Sequence, residues 1–284
     1  MTHVLIEALA GAPSPFARAV RGGAGSDRVA HAFAAGYQAA LCALVPSLAA
    51  DGVATLAASE AGGAHPRAIA TRLAARGDAW VLDGRKTFAT RADEAQVLLV
   101  LAAATAGGEE RAALKLVQVR AGAPGLTIVA GAPLPFCPEI QHSSVELASV
   151  PVAPSDVLEG DGWADYVRPF RTVEDVHVHA AVLAYVLAVG LRAGWPRPAR
   201  EELAALLVTL GALAGRPPGD AATHVALAGA VQQARGALDR CEPSWDLVPE
   251  AEGTRWRRDR PLLKVAEPAR AKRLEAAWSR FETT

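Results

Sequence analysis

The chain is short of the residues that mark several common kinds of protein. Its 284 residues include 3 cysteines, Cys42, Cys137 and Cys241, far apart and without the paired spacing of a zinc site. So scattered and odd a set excludes a disulfide framework and fits a reducing, cytoplasmic setting. Neither charge is in excess: 29 Lys+Arg against 30 Asp+Glu leave a net charge of -1, which argues against nucleic acid or anionic membrane held by bulk electrostatics. No uncharged apolar run reaches the roughly 20 residues that a bilayer needs. The longest, Ala180 to Leu191, reads as a buried helix. The N-terminal apolar stretch contains Glu7 and has no basic leader, so no signal peptide is expected. No serine sits in a Gly-x-Ser-x-Gly elbow, which removes one hydrolase class. His177 and His179 are two apart and on a helix point to different faces, so no metal site is expected.

A hydrophobic fraction of 51% against 21% charged residues is that of a globular chain with ample core. Period and punctuation divide it into three zones. Residues 1–50 are Ala-rich, with Val29, Phe33, Tyr37, Leu41 and Leu44 at helical spacing and breaks at Pro13, Pro15 and Gly22-Gly23, so two or three helices are expected. In residues 51–162, short branched runs (Ala79–Leu82, Val97–Leu101, Leu114–Val119, Leu126–Val129, Ser144–Leu147) alternate with Gly, Pro and Asp turns. About seven strands at this spacing predict a barrel or sandwich, with Asp83-Gly84 as a hairpin turn. Residues 163–284 return to helix over Val173–Ala193, Ala199–Ala214, Ala221–Cys241 and Leu262–Phe281, with Pro243–Gly253 read as a loop. The expectation is an α+β protein: a short N-terminal helical segment, a central β-barrel and a C-terminal four-helix bundle.

Two turn-bounded motifs in the middle zone carry most of the information. Ser59-Glu60-Ala61-Gly62 and Gly84-Arg85-Lys86-Thr87-Phe88-Ala89-Thr90 occur in order, followed by Pro124-Gly125-Leu126 and by Ser144 to Leu147 leading into Val150-Pro151-Val152. This succession resembles the acyl-CoA dehydrogenase family. There the first segment reads Thr-Glu-Pro-Gly before a Gly-Ser-Asp, and the second Gly-x-Lys-x-Trp-Ile-Thr-Asn. Here Ser59 stands for the Thr, Ala61 for the Pro, His65-Pro66 for the Ser-Asp, Phe88 for the Trp and Arg91 for the Asn.

The resemblance implies FAD as cofactor, held by Ser59, Glu60, Phe88 and Thr90 in a flat slot between the hairpin edge and the serine turn. It implies α,β-dehydrogenation of an acyl thioester, in which a carboxylate removes the α-proton and the flavin takes the β-hydride. That base requires an apolar pocket which lifts its pKa. Family members place it on the first helix after the barrel, where Glu174 and Asp175 stand, or in a late Glu-Gly-Thr segment, matched by Glu252-Gly253-Thr254. An acidic first helical turn and a solvated loop acid are the structural readings of the same residues. The family's Arg-x-x-Phe-Gly contact to a partner subunit's flavin is missing, as is the glycine-rich pyrophosphate contact. These departures keep a second expectation open: a scaffold of the same fold without flavin. Trp256, Arg258 and Asp259 are similar to an element of the reduced-flavin monooxygenase branch, or simply pair and pack. The family's habit of assembling through the bundle implies a homodimer or larger homo-oligomer, with Ala180–Leu191 as a candidate interface.

Overall fold

The computed structural model describes residues 2–49, 51–77, 79–105 and 113–282. The chain divides into two compact units. One holds residues 45–134 and 139–169; the other holds residues 1–44, 135–138 and 170–284.

The first unit is one curled sheet of seven strands: β1 (Ala54–Ala57), β2 (Arg72–Arg76), β3 (Ala79–Thr90), β4 (Val97–Thr105), β5 (Ala113–Arg120), β6 (Leu126–Ala130) and β7 (His142–Val152). Its order runs β6-β7-β3-β2-β4-β5, with β1 lying parallel to β4 beside Val97–Val100 and β2 parallel to it beside Ala103–Thr105. Residues from all the strands but β6 form a single buried cluster, including Ala57, Leu73, Leu82, Val100, Val117 and Val145, with Leu126 and Ile128 of β6 packed against it. Strands at opposite ends of the order can share one core only if the sheet wraps around it. Among the described residues β5 and β6 do not pair with each other, so the wrap is a half-barrel, open between them.

Asp83-Gly84 is not a hairpin turn; β3 runs straight through it from Ala79 to Thr90. The pairing of β3 with β7 shows what the two residues do instead. Between Leu82 and Gly84 on β3, β7 steps from Val150 to Leu147, so β7 carries one extra residue. Ser149 sits in this bulge at φ 55 and donates its backbone N–H to Asp83 Oδ1 at 2.6 Å. Gly84, at φ 152, lies where a Cβ would come within 2.7 Å of Thr71 Cα, so no side chain fits there. A second bulge follows with the opposite sense: β3 advances from Lys86 to Ala89 while β7 moves only from Val145 to Ser143. The alternation of sides is therefore reset within β3. Leu82 and Lys86 point inward; after the reset Ala89 takes the inward place. Phe88 and Thr90 are thereby put on the face opposite Ala89, where Phe88 is exposed and Thr90 is buried beside it.

The second unit is helical: α1 (Thr2–Ala10), α2 (Pro15–Ala24), α3 (Val29–Leu44), α4 (Arg168–Arg192), α5 (Arg197–Ala214), α6 (Ala221–Arg240), α7 (Glu250–Asp259) and α8 (Glu267–Glu282). Pro15 opens α2 behind Ser14, whose hydroxyl accepts the N–H of Ala17. The helical apolar spacing from Val29 to Leu44 is α3 itself. From residue 170 on, α4 is the core of this unit, buried along most of its length and on all sides. Gly23 of α2 and Gly36 of α3 let their backbones press onto α4: a Cβ at Gly23 would stand 2.0 Å from the Ala181 carbonyl oxygen, and one at Gly36 2.7 Å from Val178 Cα.

One expectation, the buried helix, holds here and two are corrected. The continuous helix from Gly162 to Arg192 is by length and composition long enough to cross a bilayer, but 83% of its apolar window is buried within the protein. For the same reason Ala180–Leu191 offers no surface to a second subunit; its side chains are spent on the chain's own core. The stretch read as a loop over Pro243–Gly253 contains helical turn from Glu242 to Leu247 and the start of α7, with Trp245 stacked on Trp256 at 4.6 Å. All three cysteines are buried and none is disulfide-bonded.

Candidate functional site

In the sheet unit the two motif segments lie side by side. The backbone N–H of Thr87 donates to the Ser59 carbonyl at 2.9 Å, and Ser59 bridges to Phe88. The serine turn and the end of β3 are thus one continuous edge and not two facing walls, which corrects the expected slot: a flat ligand would rest on this edge. The turn is fastened from within. Glu60 points its carboxylate inward, where it accepts from Lys86 Nζ at 2.6 Å and from the backbone N–H groups of Ala70 and Thr71 at 2.7 and 3.1 Å. Lys86 is wholly buried and also donates to the Leu101 carbonyl at 2.5 Å. Burial alone would raise the Glu60 carboxyl, but these donors outweigh it and hold it below the usual carboxylate range. Burial also pulls the Lys86 ammonium down, against the opposing pull of Glu60. The Glu60 carboxylate is thus committed to fastening the turn that carries Ser59.

On the outer face, the Phe88 ring is 47% exposed. It stacks on His142, with ring centres 4.3 Å apart and planes inclined by 19°. His142 is directly opposite Thr90 in the β3–β7 ladder, and its Nδ1 lies 3.2 Å from Thr90 Oγ1. Partial burial lowers the His142 pKa, which keeps the imidazole neutral near pH 7. An isoalloxazine ring needs an apolar flat surface and hydrogen-bonding groups along its edge. Phe88 provides the first, and the Thr90 hydroxyl and the Ser59 turn the second, so these residues fit the group.

The three candidate carboxylates are in the helical unit, each with an arginine partner. Asp175 is buried on α4, with one oxygen bound by Arg270 at 2.6 Å and the other by Arg273. Glu252, in the first turn of α7, is bound by Arg192 at 2.6 Å. Glu174 is held more loosely, by Arg171 at 3.4 Å. Burial raises its pKa, with Arg171 opposing and Asp175 reinforcing the shift. Asp259 is fully buried; it pairs with Arg258 and accepts the backbone N–H of Cys137 at 2.7 Å, while Trp256 packs in the aromatic cluster. Among the described residues no cluster of metal-ligating side chains occurs.

Residues 54–136 match the family model of the acyl-CoA dehydrogenase middle domain. The fold is acyl-CoA dehydrogenase-like. Butyryl-CoA dehydrogenase from Megasphaera elsdenii superimposes with a TM-score of 0.67 at 16% identity, over 88% of this chain and 78% of that one. A FAD-dependent dehydrogenase gives 0.67 at 16% identity over 95% and 84%. KijD3, solved with FMN and a dTDP-linked amino-keto sugar, gives 0.67 at 17% identity over 92% and 78%. No curated protein matches the chain by sequence. At these identities the superpositions establish the fold. His142 is the residue that the motifs did not reveal: it belongs to none of them, and only the pairing of β3 with β7 brings it to Phe88 and Thr90.

Proposed function

We propose that this chain is a flavin-linked oxidoreductase of acyl-CoA dehydrogenase type, acting on an acyl thioester in the cytoplasm as a homo-oligomer. The observation that carries the reading is the outward-facing aromatic edge of Phe88 beside Thr90, inside the segment that matches the family's middle domain. FAD would be held by Ser59, Phe88 and Thr90, and when bound it supplies the acceptor for a hydride. Phe88 offers the ring its apolar face, Thr90 a hydroxyl at the ring edge, and Glu60 with Lys86 keeps the serine turn in register. Glu174 takes the proton-removing role, because partial burial raises its carboxyl's proton affinity and its arginine partner, Arg171, is at 3.4 Å, farther than those of Asp175 and Glu252. Asp175 has both oxygens committed to guanidinium groups and serves to fix α8 against α4. The exposed Trp278 and Phe281 on α8 are apolar surface of the kind an oligomer would cover.

The test is the absorption spectrum of the purified protein before and after addition of FAD. A bound oxidised flavin gives a band at about 450 nm. A colourless protein that leaves the spectrum of added FAD unchanged would end this reading. A second reading, a scaffold of the same fold without flavin, is favoured by the arginine partners of all three carboxylates. Turnover of an acyl-CoA with an artificial acceptor, lost in Glu174→Gln, would exclude it.

A further inference from the structure

We propose that His142 is a positioning residue of the flavin edge, holding the Phe88 ring in plane and directing the Thr90 hydroxyl proton outward. The inference rests on the flavin reading above and names a residue which that reading does not require.

The reset between Lys86 and Ala89 turns Phe88, and Thr90 two residues on, to the face opposite Ala89, and the ladder puts His142 on that face opposite Thr90. An exposed phenylalanine on an edge is free to turn about its side-chain bonds. Here one face of its ring is occupied by the imidazole at stacking distance, which leaves the other face presented to a ligand. The hydrogen bond adds direction. A hydroxyl has one proton, and Nδ1 of a neutral imidazole either gives or takes one. With the proton on Nδ1, Thr90 Oγ1 accepts from it and its own O–H is free to donate to an acceptor atom of the ring. With the proton on Nε2, Nδ1 accepts from Thr90 and that donor is consumed. The Nδ1–H form is the one compatible with Thr90 as a donor to flavin.

Two measurements test this on the full chain. In the ligand-free protein, nitrogen NMR of His142 is expected to show the Nδ1–H tautomer in wild type and in Thr90→Ser, and a changed tautomer balance in Thr90→Val. An Nε2–H imidazole indifferent to Thr90→Val would overturn the proposal. In titrations with FAD, followed by flavin fluorescence, His142→Phe keeps a stacking ring but loses the hydrogen bond, and affinity is expected to fall about fivefold. His142→Ala loses both contacts, for about 25-fold. Thr90→Val in the His142→Phe background should cost less than in wild type, since the directed donor is already lost. Loss of FAD binding in Phe88→Ala, with both His142 variants unaffected and still folded by circular dichroism, overturns the role of His142 and leaves the flavin reading standing. Failure of the wild-type chain to bind FAD overturns both.

Discussion

Replacing Glu60 by glutamine removes the charge that faces Lys86 in the half-barrel. The ammonium would then be fully buried with the Leu101 carbonyl as its remaining strong acceptor. Breaking a buried pair in this way typically costs about 3–5 kcal/mol. The ceiling follows from titration: a lysine can escape by losing its proton, which at pH 7 costs about 1.36 kcal/mol for each of the roughly 3.4 pH units below its unfolded value, or about 4.6 kcal/mol. The loss should therefore lie between about 3 and 4.6 kcal/mol at pH 7. Its pH dependence has a definite sign. In the variant the folded state binds fewer protons than the unfolded state once Lys86 is neutral, so stability recovers as pH rises toward the unfolded lysine value of about 10.4. In wild type the lowered Glu60 pKa gives stability that is present above the unfolded carboxylate value and lost as pH falls through the folded one. The assay is urea denaturation of Glu60→Gln, Lys86→Met and the double variant at pH 7 and pH 9.5. The double variant should be closer to wild type than Glu60→Gln alone. A Glu60→Gln loss under about 1 kcal/mol, unchanged at pH 9.5, would show that this pair does not fasten the serine turn.

Three further outcomes are expected. Gly84→Ala should destabilise by about 1–3 kcal/mol, because the φ of 152 and the approach of Thr71 admit no side chain; a melting temperature equal to wild type would contradict this. Asp175→Asn should cost about 3 kcal/mol by leaving Arg270 and Arg273 without their carboxylate, so thermal unfolding, not only turnover, should change. The native protein should resist a thiol reagent at pH 8 and release three reactive thiols in denaturant, since all three cysteines are buried and burial, with Glu202 adding to it, pushes Cys241 up to about 11; rapid labelling of the folded chain would refute that.

The sequence made the strands and most of the helices legible because each has a local cause. The run Val97–Leu101 is branched and apolar and becomes β4; the spacing from Val29 to Leu44 becomes α3. Asp83-Gly84 misled because the dipeptide that makes a tight turn also suits a bulge, and the choice depends on the partner strand, where Ser149 takes the extra place. Residues 243–253 looked like a loop through their prolines and Gly253, yet their helical turns are held by Trp245 stacked on Trp256. At the site, Phe88 and Thr90 were legible as a motif. His142 was not, because its place beside them is set by strand register 52 residues away in the chain. The arginines on Asp175 were hidden likewise: Arg270 and Arg273 lie on α8, nearly a hundred residues further on.

The second irregularity in β3 makes the span between Lys86 and Ala89 sensitive to length more than to composition. Removing one residue there would restore plain alternation with Lys86 and Ala89 both still inward, leaving a single outward residue where Thr87 and Phe88 now stand. Most replacements in that span would leave the exposed edge recognisable, whereas a single-codon deletion would halve it.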